Sequence, residues 1–515
     1  DVISERTGNN PLFAARFLES LRTGNRLRYA ADRRRWVWNV DELHAEPYPD
    51  DVAELIAKNI RALSPSTQTA LGVFAAYGHT ADLATLGMIL ECSEDEVLER
   101  LGGAFRARLI ARLDGVVRFL HDRIQQTAYE RLAEDRPRVH LHIARALLAG
   151  LQPAAREERV FDIVCQFEMA SPLLADADER TCVAELELLA GRKAQRATRF
   201  ASAAHFLAEG VALLSEEDWE THHDLAFGLH FALARSHLVG GDLDAARRLG
   251  TLLLARARTG CEQASVHGLL AELDLLRDAF DEAVNECLVG LRALGVDLAP
   301  HPTDEAAQTA TSAVVERLLA RGPKAVLELP TSTDADLRAI CDLVSSLIAP
   351  AVMVDWNLVW VAASVAVDRS LSCGNTRSSA IAYGALGVLL AKRGRYEEAF
   401  RVGEAAYALA IREGDAAYRP RTSFPFVALL SYLSLPLRTC IEMLHDELGI
   451  AKAVGEQSYA CYLAKHELEF RFFVGEPLRD VEKASQEAKA LVERAGYPVV
   501  RDQIDSMHRL VERLR

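Results

Sequence analysis

A metal site or a covalent mechanism in this chain would be built from its 15 histidines and nine cysteines, and their spacing argues against both. His140 and His142 stand two apart, about 200° around a helix, so they cannot share an ion. His222 and His223 diverge likewise, and no two histidines have the i, i+4 spacing of a helical metal motif. Cys92, Cys165, Cys182, Cys261, Cys287, Cys341, Cys373, Cys440 and Cys461 are odd in number, widely spaced and free of CxxC pairs. Neither a zinc knuckle nor a disulfide framework follows, and a reducing cytoplasm is expected. Cys165, Cys287 and Cys341 fall on apolar helical faces, where a thiol packs as a small hydrophobe. There is no Gly-x-Ser-x-Gly nucleophile elbow. The acid pairs Glu216-Glu217 and Glu397-Glu398 sit on what read as solvated helix faces. The phosphate loop GxxxxGK[ST] is absent too, so this stretch has no amide cradle with its phosphate-pairing lysine. No catalytic residue and no metal site are expected.

The elements that would position any site are helices. Thirty Gly and 17 Pro make about 9% of the 515 residues, which excludes collagen-like and linker-like classes. With 59 Lys and Arg against 74 Asp and Glu the net charge is −15, a poor footprint for nucleic acid. The longest apolar stretch, residues 343–367, is broken by Pro350 and Asp355, short of the roughly 18 uninterrupted residues of a membrane span. No membrane partner is expected. The chain starts at Asp1 rather than Met, and we expect an upstream part.

Residues 1–50 combine a helical run from Pro11 to Leu21, with Asn10 as N-cap, and a polar, Arg-rich stretch around Arg33, Arg34, Arg35, Trp36 and Trp38. Residues 51–132 read as one compact unit. Ser64-Pro65 opens a helix with Leu71, Phe74 and Ala75 on one face; a second helix is expected over Ala81 to Leu90. Ser93 with Glu96 forms a capping box for a third, reaching about Ile110. The period then changes to two, and residues 109–113 and 116–120 flank Asp114-Gly115, a tight-hairpin signal. Three helices and a two-stranded wing make a winged helix. Between Glu99 and Arg131 seven arginines stand against four acids, a net of +3, yet Asp114 and Asp122 flank the wing. DNA is therefore an unfavoured partner for this segment.

From Pro137 the chain is helix after helix. A Gly-x-[aromatic or Leu]-x-x-Ala signature recurs at Gly241-Asp242-Leu243…Ala246 and Gly394-Arg395-Tyr396…Ala399. Asp278-Ala279-Phe280…Ala283 lacks the Gly, and Phe200…Ala203 and Leu437…Cys440 are weaker copies. Their aromatic or Leu positions are 43, 37, 116 and 41 residues apart, consistent with a two-helix repeat of tetratricopeptide type. Pro300-His301-Pro302, Gly322-Pro323 and Leu329-Pro330 mark long inter-helix loops within it. The fold expected is thus all-α: a winged-helix domain with a small β-hairpin, then a tetratricopeptide-like α-solenoid, divided as residues 1–50, 51–132 and 133–515.

Several stretches resemble one family. Thr7-Gly8-Asn9-Asn10-Pro11-Leu12-Phe13, followed by Phe17-Leu18 and Leu21, is similar to the lid segment of signal-transduction ATPases with numerous domains. The run Phe119-Leu120-His121-Asp122-Arg123-Ile124-Gln125-Gln126-Thr127-Ala128-Tyr129 resembles the signature of one branch. That branch is found in bacterial trifunctional proteins, where a serine/threonine kinase-like domain precedes a predicted AAA-type ATPase and a sensor histidine kinase follows the repeats. Leu63, Gln68, Leu71, Ala75-Ala76, Gly78, Leu83 and Leu86 resemble its winged-helix core, with His79 and Ala81 departing from the pattern. Residues 188–194 and 371–375, with Ser379-Ala380, resemble its repeats.

The resemblance implies a role near bound nucleotide for Gly8, Asn10 and Pro11, with Asn9 where the family has a second Gly. ATP or ADP would bind the full-length parent, its phosphate site lying before Asp1 in an upstream nucleotide-binding domain. For His121, Asp122 and Arg123 two roles stand open: a wing-to-helix junction, in which Asp122 caps the next helix and His121 packs beneath it, or an interdomain relay. The function implied is a regulatory segment whose solenoid binds a protein or peptide partner or effector and couples it to the nucleotide switch. Part of an ATP-dependent transcriptional regulator, or a scaffold without nucleotide, are the alternatives.

Overall fold

A computed structural model of the chain describes residues 52–413, 416–495 and 497–514, with positions 14, 18, 21–22, 24, 26–30 and 34–39 before them. Two compact units result, Asp1–Leu186 and Glu187–Arg515. Compactness thus groups the helices that follow residue 132 with the winged helix as far as Leu186, beyond the border drawn from sequence at 132/133.

In the first unit, an antiparallel ribbon of β1 (Leu27–Ala30) and β2 (Arg35–Trp38) pairs Tyr29 with Trp36 and Leu27 with Trp38. The Arg-rich composition of this stretch hides it, because only one face carries large apolar side chains. The helix expected over Pro11 to Leu21 falls almost wholly outside the described residues; Ala14, Leu18 and Leu21 are helical.

The winged helix follows as α1 (Val52–Arg61), α2 (Pro65–Tyr77), β3 (Thr80–Asp82), α3 (Leu83–Ile89), α4 (Glu94–Arg106), β4 (Ile110–Leu113), β5 (Val116–Phe119) and α5 (Asp122–Glu130). Ser64 caps α2 through the amide of Thr67 at 3.2 Å, and the Ser93–Glu96 capping box starts α4. Two boundaries differ from the sequence reading. The second helix begins at Leu83, not Ala81, because Asp82 accepts the amide of Thr85 at 2.6 Å and Thr80–Asp82 joins the sheet. The third ends at Arg106, four residues before Ile110; Ala107 N–H closes on Gly103 and Arg108 turns the chain at φ 51°. The wing is consequently three-stranded, ordered β3-β5-β4 and antiparallel throughout. Asp114 (φ 52°) and Gly115 (φ 82°) make the two-residue turn with both dihedrals positive, as a primed hairpin turn demands. Phe74 of α2 stacks on Phe119 of β5 at 4.6 Å, above a floor of buried Leu71, Leu86, Val97, Leu101 and Val117. The unit continues with α6 (Arg136–Gly150), α7 (Pro153–Glu158), α8 (Val160–Met169) and the start of α9 (Ala177–Arg196).

The second unit is a helical array: α10 (Phe200–Leu213), α11 (Asp218–Thr221), α12 (His223–Gly240), α13 (Leu243–Arg256), α14 (Gly260–Leu276), α15 (Phe280–Ala293), α16 (Asp304–Arg321), α17 (Ala335–Val354), α18 (Trp356–Cys373), α19 (Ser379–Lys392), α20 (Tyr396–Glu413), α21 (Arg419–Leu429), α22 (Leu437–Val454), α23 (Gln457–Phe473), α24 (Leu478–Ala495) and α25 (Pro498–Leu514). The aromatic or Leu of each repeat signature is the first residue of a helix: Phe200, Leu243, Phe280, Tyr396 and Leu437. The small residue three positions on is fully buried in all five, at Ala203, Ala246, Ala283, Ala399 and Cys440. A Cβ-sized side chain there lets neighbouring helices close to van der Waals distance. Two positions before the aromatic, the backbone is left-handed at Thr198 (φ 56°), Gly241 (φ 87°), Asp278 (φ 57°) and Gly394 (φ 77°). The Phe200 and Phe280 copies, which lack the Gly, therefore keep the same turn at the cost of some backbone strain.

Helix α17 is 20 residues long with a mean hydropathy of 1.8, enough by length and composition to cross a membrane. Its Leu337, Ile340, Val344 and Leu347 are instead buried in the core of the array.

Candidate functional site

Gly8, Asn10 and Pro11 lie outside the described residues. His121, Asp122 and Arg123 sit where the wing turns into α5, and the cap falls on His121 instead of Asp122, with neither side chain packed beneath the helix. His121 is the cap: its Nδ1 accepts the amide of Arg123 at 3.1 Å, and the side chain is exposed. Asp122 is the first helical residue, 93% exposed, with Oδ1 at 3.3 Å from His79 Nδ1. Its carboxylate favours the positive end of α5 without reaching an amide. Arg123 donates to Gln126 Oε1 at 2.9 Å along its own helix.

The rest of that motif fastens elements together. Ile124 is fully buried, and Gln125 donates to the carbonyl of Ala75 at the end of α2, 3.1 Å away. Tyr129 OH lies 2.9 Å from His140 Nε2, and His140 Nδ1 lies 2.8 Å from Gln166 Oε1. This chain of bonds joins α5, α6 and α8. Burial holds the pKa of His140 below the usual histidine value, so the ring is neutral at pH 7.

On α4, which would enter a major groove in a DNA-binding winged helix, the exposed first turn carries Glu94, Asp95 and Glu96, with Glu99 behind them. That face repels phosphate. Arg100 is spent on the carbonyl of Leu90 at 3.2 Å.

Sequence reasoning missed the most concentrated chemistry of the chain, a cavity of about 230 Å³ inside the helical array. It forms because the array brings late helices back over early ones. Gln457 Nε2 donates to the carbonyl of Val239 at 3.3 Å, 218 residues away in sequence. Gly455 (φ 75°) sits so close to Phe200 that a Cβ there would lie 3.0 Å from the ring. Behind this closure, Arg421 of α21 donates through Nη2 to Glu272 Oε1 of α14 at 2.9 Å and to Glu456 Oε2 at 3.3 Å. Its Nη1 reaches Ser346 Oγ of α17 at 3.3 Å, and its guanidinium lies 5.5 Å from the ring centre of Tyr459. Arg235 of α12 donates to Glu272 Oε2 at 3.2 Å. The Arg421 side chain is only 9% exposed.

The electrostatics of this cluster are uneven. Burial alone would raise the pKa of Glu272, but the charges of Arg235 and Arg421 outweigh it and hold the carboxyl below the usual range. Among the described residues Glu456 has Arg421 as its one direct ion pair, and there burial wins, pushing its pKa up. Arg421 is desolvated as well, yet Glu456 and Glu272 keep it firmly charged. Besides these groups, Ser345 of α17 faces the cavity, 1% exposed, with no hydrogen-bond partner for its Oγ among the described residues. Helices α17 and α21 each contain an internal proline, Pro350 and Pro425. Each removes the amide that would close on the carbonyl four residues earlier, which belongs to cavity-lining Ser346 and Arg421 respectively.

Elsewhere the chemistry is quiet. All nine cysteines are free thiols. Cys287 and Cys341 are buried, and burial raises their pKa values, as befits packing residues. Cys165, expected on an apolar face, is exposed on α8. Among the described residues no three His, Cys, Asp or Glu side chains group as a metal site would need.

No protein-family description matches the chain. It is 21% identical, over an alignment of 360 residues, to a hybrid signal transduction histidine kinase G of Dictyostelium discoideum; the match takes in 58% of this chain and 10% of that protein. The chain thus spans about a tenth of that relative's length. Among solved structures, a signal transduction ATPase with numerous domains carrying a tetratricopeptide repeat sensor, from Pyrococcus horikoshii, aligns over 90% of this chain and 68% of its own at 12% identity, with a TM-score of 0.31.

Proposed function

We propose that this chain is the regulatory, sensor-like segment of a larger signalling protein of the signal-transduction ATPase kind. The helical array holds an effector or protein partner and transmits its presence through the winged helix to a nucleotide-binding domain upstream. The observation that carries this reading is the closure of the array on itself. Residues of α12, α14, α17, α21 and the α22–α23 turn, as much as 221 positions apart, meet in one buried ion cluster around a cavity. Such a contact has two discrete states, made and broken, and a ligand that prefers one shifts the balance. The motif resemblances and the likeness to a segment of a signal transduction histidine kinase support the signalling context.

In this reading the parent binds ATP or ADP, belongs to the bacterial trifunctional branch and works in the cytoplasm, where nine free thiols stay reduced. His121–Arg123 act at the seam between wing and α5, and Gly8, Asn10 and Pro11 take part in sensing the bound nucleotide. The test is made on the natural full-length product, comparing nucleotide binding and turnover in the wild type and in Arg421→Met, which breaks the closure. Altered nucleotide kinetics are expected. Identical kinetics, with the array shown by small-angle scattering to have opened, would overturn the coupling.

A further inference from the structure

The cavity's own chemistry narrows what it holds. At one side Arg235 spends a single Nη on Glu272, leaving further N–H groups of its fork for a carboxylate, and Arg196 stands exposed at the mouth. At the other, Glu456 gives one carboxylate oxygen to Arg421. Pro350 and Pro425 take helical donors away from the carbonyls of the lining residues Ser346 and Arg421, which leaves two backbone acceptors without their usual helical donors. Ser345 Oγ, buried and without a partner among the described residues, is a polar group whose desolvation is uncompensated until something bonds to it. An aliphatic patch of Leu238, Leu275, Leu276 and Ala349 also lines the cavity, beside the rings of Phe200 and Tyr459. The volume lies below the usual range of drug-sized pockets, so the occupant is small.

We propose that the cavity is an effector site for a small zwitterion, a free α-amino acid with an aliphatic side chain. Its carboxylate is received by Arg235 and the Ser345 hydroxyl, its ammonium by Glu456, and its side chain by Leu238, Leu275 and Leu276. The inference rests on the sensor reading above, and it goes further in naming the ligand class and the donors. A plain carboxylic acid would bring no donor to Glu456, and an amine would bring no acceptor to the remaining N–H groups of Arg235, so each would use only one side of the site.

The test uses the full chain and three probes of nearly equal size: L-leucine, isocaproate, which lacks the amine, and isoamylamine, which lacks the carboxylate. Thermal unfolding is followed at constant ionic strength and pH. Leucine at millimolar concentration is expected to raise Tm in proportion to the logarithm of its concentration, while the other two leave it unchanged. Arg235→Gln and Ser345→Ala are both expected to abolish the leucine response. The first alters a partly exposed side chain and the second removes one buried hydroxyl, so two independent variants guard against a simple folding defect. No response to leucine, an equal response to isocaproate or isoamylamine, or a full leucine response in Arg235→Gln would overturn the proposal. Failure of the ligand class shows as an unresponsive wild type, whereas failure of the sensor reading shows as nucleotide kinetics indifferent to Arg421→Met.

Discussion

Arg421→Met is the perturbation that most directly probes the closure of the array. Methionine keeps much of the aliphatic stem, so the change isolates the guanidinium. In the wild type that group is 9% exposed and bonds Glu272 at 2.9 Å, Glu456 at 3.3 Å and Ser346 at 3.3 Å. Removing one member of a buried ion pair and leaving the other costs about 3–5 kcal/mol. Here the low end applies. Glu272 retains Arg235, and Glu456, whose pKa burial already raises, takes up a proton instead of remaining an isolated charge. We expect a loss of about 3 kcal/mol at neutral pH.

Two features distinguish this from a packing defect. Adding Glu456→Gln to Arg421→Met removes the stranded carboxylate, and the double variant is expected to regain about 1–2 kcal/mol as a coupling energy. The cost of Arg421→Met is also expected to shrink as pH falls. In the variant the folded-state pKa of Glu456 lies above its unfolded value, so protonation is linked to folding, and stability rises as pH drops through that folded value. Urea unfolding supplies the assay, with far-UV circular dichroism for all helices and tryptophan fluorescence to bring in Trp219, Trp356 and Trp360 of the array. The two units are fitted as separate transitions. A loss under about 1 kcal/mol, no recovery in the double variant, or a pH-independent cost would refute the view that this cluster holds the array closed.

Other expectations are simpler. Gly374→Ala should destabilise the array by at least about 3 kcal/mol, since the residue has φ 97° and a Cβ would lie 2.5 Å from the carbonyl oxygen of Pro330; the urea midpoint measures it, and a change below 1 kcal/mol would count against the geometry. At the repeat turns, Thr198→Gly should gain about 0.5 kcal/mol by relieving a left-handed β-branched residue, whereas Gly241→Ala, with open space around its Cβ, should lose about 1 kcal/mol. Opposite signs in calorimetry are the diagnostic result. Acid should weaken both units: burial depresses the pKa values of His140, His230 and His466, so their stabilising effect is complete above the unfolded value near 6.5 and disappears as pH falls through the lower folded values. Tm measured downward from pH 7.5 should fall, and His140→Gln should flatten the slope for the first unit.

The features legible in the sequence are those with a local physical cause. The repeat signature found five helix starts because the aromatic or Leu and the small residue three positions on must meet the neighbouring helix within a single turn. Asp114-Gly115 announced its hairpin through dihedrals that few other pairs adopt. The third wing strand was not legible: Thr80–Asp82 is three residues long, and its pairing with Val116–Arg118 is a tertiary fact. The shift of the cap from Asp122 to His121 has a similar origin, since both residue types suit a helix start and only the backbone decides which one is the cap. The ion cluster was least accessible of all, because its members are distributed from Arg235 to Glu456 and no period links them. One signal did exist. Arg235 and Glu272 each interrupt an otherwise apolar helical face, and a charge in such a place needs a partner from elsewhere in the fold.

Where the switch sits follows from the size of the forces involved. An effector at a hundredfold excess over its dissociation constant supplies only about 2.7 kcal/mol. The core of the array, with tens of fully buried side chains from α14 to α25, is far outside the reach of such a ligand. The closure around Arg421 is of the right order, since losing its guanidinium costs about 3 kcal/mol and a buried ion pair adds little net stability over an open, hydrated one. Repeat arrays gain stability mainly from nearest-neighbour contacts, and the closure joins residues 149 to 218 positions apart in sequence. It can therefore be made or broken while every repeat stays folded. A zwitterion that bonds both Arg235 and Glu456 would bridge the two sides of that contact, α12 and the α22–α23 turn. Its binding energy would then fall on the one part of the array soft enough to respond.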